Sequence, residues 1–170
     1  MHKKAISVLS IVMVICMCLM TPFTVNAKNI EITKTGATSG TTGDCTWSLD
    51  GTVLTISGNG KMGDYSWIGG PWGFSVTKVI IENGVTSIGA NAFSFCENLT
   101  CVTIGNSVMS IGYKAFYDCT GLTSVTIPDS VTVIESAAFY CCMAIKRITL
   151  GNHVSSIGDV AFNTCSSLTN

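Results

Sequence analysis

The residues best suited to chemistry in this chain are nine cysteines, two histidines and ten carboxylates, and their spacing decides what they can do. Four of the cysteines, Cys96, Cys119, Cys142 and Cys165, recur at a fixed interval of 23 residues, whereas Cys45, Cys101 and Cys141 fall off that rhythm. No C-x-x-C pair occurs, so neither a zinc site nor a dithiol redox centre is expected. Equally spaced thiols read instead as a buried column, in which neighbours about 4.8 Å apart either pair as disulfides or, the favoured reading, stay reduced and act as small hydrophobes. His153 takes a turn position held by Ser107 and Ser130 in neighbouring units, and no triad or metal partner lies at a suitable spacing. Asp118, Asp129 and Asp159 are scattered through turns, which sets up no carboxylate pair for glycoside hydrolysis. No catalytic residue, metal or cofactor is therefore predicted. Tyr65, Trp67, Trp72 and Phe74 remain, either as a sugar-stacking platform or as a cover for an open hydrophobic end.

The elements that must position these residues are repeats. Ala92-Phe93 returns as Ala115-Phe116, Ala138-Phe139 and Ala161-Phe162, each followed three residues later by one of the four periodic cysteines. Leu99, Leu122, Ile145 and Leu168 come three residues after those cysteines, and the strand-like endings Val102-x-Ile104, Val125-x-Ile127 and Ile148-x-Leu150 follow. Val79 and Ile81 fit the same register. Each unit then closes with Val85-x-x-Ile88, Val108-x-x-Ile111, Val131-x-x-Ile134 or Val154-x-x-Ile157. So many agreeing positions at one period define a solenoid, in which no unit closes a core alone and neighbours must stack. The Ala-Phe-x-x-Cys spacing predicts a short helix or tight turn, and Phe93, Phe116, Phe139 and Phe162 are expected to form the spine. Truncating one such buried Phe to Ala costs about 3–5 kcal/mol.

Ahead of the repeats, residues 1–27 read as a secretory signal: Lys3 and Lys4, an apolar run from Ala5 to Met20, Pro22, and a small residue at Ala27. The 16-residue run makes about 24 Å of helix against a hydrocarbon core of about 30 Å, short for a span, with an uncleaved membrane anchor as the alternative. A secreted, extracellular or cell-surface location after cleavage near Ala27 is expected, with no membrane contact beyond the signal. Of nine Lys and Arg, removal of Lys3 and Lys4 leaves seven against ten acidic residues, with Arg147 the only arginine. That balance excludes nucleic acid as a natural partner. Residues 28–43 are polar and rich in Gly and Thr, a flexible lead-in. Residues 44–75 follow as a capping region. In it, Cys45 to Leu49 and Thr52 to Ser57 alternate apolar and polar around Asp50-Gly51, a hairpin signal that turns Trp47, Leu49, Leu54 and Ile56 inward.

From Val76 to Asn170 the pattern L-x-x-V-x-I-P-x-x-V-x-x-I-x-x-x-A-F-x-x-C resembles the BspA-like leucine-rich repeats of bacterial surface and secreted proteins, with Glu135 and Ile145 as small departures. The Trp47 to Pro71 stretch is also similar to the segment that often precedes such repeats. The resemblance implies a leucine-rich repeat solenoid, mainly β with short helical or 3-10 turns and an N-terminal hairpin cap. It also implies adhesion or protein binding, to host or microbial surface proteins, without an active site. In that arrangement the outward strand residues are Lys78, Ile80, Cys101, Thr103, Ser124, Thr126, Arg147 and Thr149, a small, hydroxyl-rich, weakly charged face. A truncated N-terminal piece of a longer repeat protein, without independent function, and a carbohydrate-binding module are the alternatives. Where the next strand would begin after Leu168, Phe162, Cys165 and Leu168 are expected to leave an uncapped edge that favours self-association.

Overall fold

The computed structural model describes residues 38–169, so the signal sequence assigned to 1–27 and the lead-in over 28–37 lie outside the described residues. Within them the chain begins with an antiparallel run, β1 (Ser39–Thr42), β2 (Cys45–Asp50) and β3 (Val53–Gly58). After that it coils. Each turn of the coil gives one strand to each of two sheet walls: β3 with β4 (Gly60–Lys61), β5 (Lys78–Ile81) with β6 (Val85–Ile88), β7 (Cys101–Ile104) with β8 (Ser110–Ile111), β9 (Ser124–Thr126) with β10 (Val133–Ile134), and β11 (Arg147–Thr149) with β12 (Ser156–Ile157). One wall pairs in parallel as β3-β5-β7 and as β9-β11, and the other as β4-β6-β8-β10-β12. Thr123 N–H donating to Thr100 O across 3.4 Å bridges the two parts of the first wall. In register, Ile88, Ile111, Ile134 and Ile157 stand beside one another. The interval of 23 residues is thus the circumference of one coil.

A third wall closes each coil between the second strand and the next first strand, and here the tight turn is found and the short helix is not. Among the described residues there is no helix. Alternate amides of Asn91 to Cys96 serve different purposes. Ala92, Ser94 and Cys96 donate three residues back, to Gly89, Asn91 and Phe93, while Asn91, Phe93 and Phe95 donate to Tyr113, Ala115 and Tyr117 of the next coil. The same alternation returns from Lys114 to Cys119. A helix satisfies its amides within itself, whereas this wall uses half of them to hold coils together. The geometry requires left-handed backbone at two columns four residues apart, Asn91, Lys114, Ala137 and Val160 (φ 53 to 56°) and Phe95, Asp118, Cys141 and Thr164 (φ 57 to 62°). Those residues interrupt any right-handed helix.

The first coil starts upstream of Val76, because β3, predicted only as half of a hairpin, also pairs in parallel with β5. The hairpin itself turns one residue later than Asp50-Gly51: Asp50 pairs with Val53, so Gly51 and Thr52 form the loop, with Gly51 at φ 58° as a II′-type turn demands. Residues 39–42, placed by composition in the flexible lead-in, form β1 instead. They gain order by pairing with β2, and Thr42 Oγ1 accepts from the Tyr65 hydroxyl (2.6 Å) and from Gly63 N–H (3.1 Å).

The interior is a set of columns. Phe93, Phe116 and Phe139 are fully buried and stack at 5.1 and 5.0 Å, and the half-buried Phe162 adds a further ring at 5.4 Å. In the first coil the corresponding position is Gly70, which passes its amide hydrogen bond to Ala92 O. A Cβ there would lie 2.3 Å from the Trp72 ring, so the missing side chain makes room for the indole, which stacks on Phe93 at 5.3 Å. Trp47 and Tyr65 then meet Trp72 edge-on.

Val160, like Thr164, is a β-branched member of the left-handed columns, and it is about half exposed (51%). Replacing it with Asn, which tolerates that conformation, should raise the unfolding free energy by about 1 kcal/mol in urea denaturation. A destabilised variant would show that the Val160 contacts outweigh its backbone strain.

Candidate functional site

Period-two alternation in the first wall turns Val79, Ile81, Val102, Ile104, Val125 and Ile127 into the core and their neighbours outward. Register then sets those neighbours side by side: Lys78 next to Cys101, Ile80 next to Thr103, Ser124 next to Arg147, and Thr126 next to Thr149. Seven of the eight are exposed and Ile80 is half-buried. All eight residues of the expected strand face therefore lie on one wall. Its charge comes from Lys78 at one end and Arg147 at the other.

The hydroxyls bordering this face are already in use. Thr52 and Thr77 share a hydrogen bond of 2.8 Å, Thr100 Oγ1 donates to Thr77 O (3.1 Å), Thr123 Oγ1 to Thr100 O (3.3 Å), and Thr169 Oγ1 to Lys146 O (3.1 Å). Part of the Thr-rich composition is thus a ladder between coils, leaving less free hydroxyl for a ligand than composition implies.

The periodic cysteines are reduced and interior. Cys119, Cys142 and Cys165 each direct their S–H at the carbonyl of the Phe one coil back, Phe93, Phe116 and Phe139, at 3.2, 3.2 and 3.4 Å. A hydrophobe with a weak donor suits that slot, adding a second bond to the Phe93 and Phe116 carbonyls, which already accept the Cys96 and Cys119 amides. Burial pushes the Cys96 thiol up to about 12 and also raises those of Cys119 and Cys142, so all three stay protonated and unreactive near neutral pH. All seven described cysteines are free. Cys101 is exposed in the strand face and Cys141 half-exposed in the turn wall. His153 is exposed, its Nδ1 3.0 Å from Asp129 O. Among the described residues no three His, Cys, Asp or Glu side chains converge to hold a metal.

The aromatic group proposed from sequence divides. Trp72 is in the core and Tyr65 half-buried against it, whereas Phe74 and Trp67 are 43% and 70% exposed, so the four form no common platform. Trp67 belongs instead to an outer row that the sequence reading missed, running along the turn wall through Phe95, Tyr117 and Tyr140 at centroid steps of 6.1, 5.5 and 5.1 Å. The available signal was the residue after each repeat Phe, which is Ser94, Tyr117, Tyr140 and Asn163.

Residues 72–170 match the BspA type leucine rich repeat region in six copies, and the chain belongs to that family. A leucine-rich repeat protein from Bacteroides ovatus is similar at 33% identity over 56% of this chain, with a TM-score of 0.54. The chain spans only 24% of that protein's length. The T. pallidum leucine-rich repeat protein shares the fold at 21% identity, over 75% of this chain and 67% of its own, with a TM-score of 0.57. Comparison with curated proteins finds no match.

Under native conditions a maleimide should modify Cys101 first, Cys141 slowly, and Cys96, Cys119 and Cys142 only after unfolding, as peptide mass mapping would show. Modification of the column thiols at the rate of Cys101 would contradict their burial.

Proposed function

We propose that this is a secreted or cell-surface, non-catalytic repeat protein that binds host or microbial surface proteins through its strand face. The observation that carries this reading is the side-by-side placement of Lys78, Cys101, Ser124 and Arg147 with Ile80, Thr103, Thr126 and Thr149 on one wall. A repeat family known for protein interaction supports it. Size limits affinity. Strands of three or four residues are about 10–13 Å long and lie about 4.8 Å apart, so four of them offer roughly 200–250 Å². A standard interface takes about 800 Å² from each partner, and the turns beside the strands must contribute. Immobilised chain should retain host surface protein, and Thr126→Arg with Arg147→Glu should abolish retention at an unchanged unfolding midpoint; retention by the double variant would dismiss the strand face.

A second reading, in which the last described coil packs against another copy, is favoured by its apolar surface. Ile157, Val160 and Leu168 are 49%, 51% and 44% exposed, and a cavity of about 480 Å³ opens between Arg147, Ile148, Leu150, Phe162, Leu168 and Thr169. Such packing should raise the sedimenting mass with concentration, and Leu168→Lys should return it to that of one chain. A concentration-independent single-chain mass would remove this reading.

A further inference from the structure

We infer that the Asn83–Gly84 peptide is a self-modification site, at which the folded chain converts Asn83 to an aspartyl residue through a cyclic imide, while the other Asn-Gly pair, Asn59–Gly60, is kept from reacting. Asparagine is a labile side chain, and a following glycine leaves the attacking amide nitrogen uncrowded because it carries no Cβ. Of the asparagines, Asn59 and Asn83 alone precede Gly; Asn106 and Asn152, which share the column of Asn83, precede Ser107 and His153.

Hydrogen bonding separates the two pairs. The nucleophile in each is the peptide nitrogen of the glycine. Gly60 N–H donates to Gly84 O (3.0 Å) where β4 pairs with β6, so that nitrogen is not free to give up its proton. The Gly84 amide has no acceptor among the described residues, and Asn83 is exposed at the corner between β5 and β6. The next coil prepares the electrophile. Asn106 N–H donates to Asn83 Oδ1 (2.8 Å), which polarises the side-chain carbonyl and meets the charge that develops on that oxygen during attack.

The step needs only the chain and water. Gly84 N gives its proton to solvent and bonds to Asn83 Cγ, the Cγ–Nδ2 bond breaks, and Nδ2 takes a proton from water and departs as ammonia. Water then opens the imide. Opening at Cγ gives aspartate, and opening at the main-chain carbonyl gives the isoaspartyl form, in which the backbone runs through Cγ. Aspartate fits the column, because Asp129 already occupies it and accepts Asn152 N–H on Oδ1 (2.7 Å). The isoaspartyl form lengthens the main chain beside Gly84, which packs so closely on Gly58 O that a Cβ would collide with it. Either product places a new negative charge next to Glu82.

Purified chain is aged in buffer and in urea, then digested, and each asparagine is followed by tandem mass spectrometry for exchange of its amide for an acid. In the folded chain Asn83 should convert at least about tenfold faster than Asn59, which must await local opening of the β4 pairing, and in urea the two rates should converge. The rate at Asn83 should rise with pH, because the deprotonated amide attacks. Hydroxylamine, which cleaves cyclic imides, should cut the folded chain after Asn83 alone, and Asn83→Gln, whose larger ring closes less readily, should remove that cut. Asn83→Asp should leave the unfolding midpoint unchanged. Equal rates at the two sites in the folded chain, faster conversion at Asn59, conversion of Asn83 confined to urea, or a rate indifferent to pH would overturn the assignment. A lowered midpoint in Asn83→Asp would overturn the fit of the carboxylate in the column.

Discussion

Every feature of this molecule depends on one coil hydrogen-bonding to the next on all three of its walls. Two walls do so as parallel strands, and the third does so through the alternate amides of the turn, from Asn91, Phe93 and Phe95 to Tyr113, Ala115 and Tyr117 and onward. With bonds on three sides, a coil cannot slide or rotate against its neighbour without breaking several of them. Identical residues are then forced above one another. This is why Phe stacks on Phe at 5.0 to 5.4 Å and why the Cys119, Cys142 and Cys165 thiols each find a Phe carbonyl one coil back. Side-chain columns follow from backbone register.

The same constraint explains the backbone strain. Left-handed geometry recurs at two columns whatever residue occupies them, including Ala137, Val160 and Thr164, for which that conformation is unfavourable. Coil-to-coil bonding and burial of the Ala-Phe pair outweigh a cost of about 1–2 kcal/mol per residue. Glu135, standing where other units have Gly, fits the same scheme, because its carboxylate accepts the Tyr113 amide from the adjacent coil.

Much of this was legible from spacing alone, since a 23-residue period fixes which residues share a column and alternation fixes which strand residues face out. That is enough to place Lys78 beside Cys101 and Ser124 beside Arg147. What failed were the features set by tertiary bonding. Ala-Phe-x-x-Cys looks helical because residues three apart share a side, and only Asn91 and Asp118 among the left-handed positions are residues that tolerate that backbone readily. The first coil was hidden for a different reason. Gly70 and Trp72 exchange the usual roles of backbone position and filling ring, so the Ala-Phe signature is absent although the stack continues through it.

Comparing the columns with one another separates structure from recognition. The Phe and Cys columns are uniform from Phe93 and Cys96 onward, and the Thr52, Thr77, Thr100 and Thr123 margin is uniform until Lys146, because each member must satisfy the same neighbour. The outward column Lys78, Cys101, Ser124 and Arg147 changes chemistry at every step, and all four side chains are exposed. The outer turn column does likewise, from Ser94 to Tyr117, Tyr140 and Asn163. Stacking demands nothing particular of the strand-face column, so its residue choice is free to be set by whatever it touches, whereas in the turn column the buried Ser94 donates to Lys114 O (2.8 Å) and Tyr117 stacks on Tyr140. The strand face proposed for recognition is therefore the column that varies, on a wall whose hydrogen bonds hold it at fixed separations.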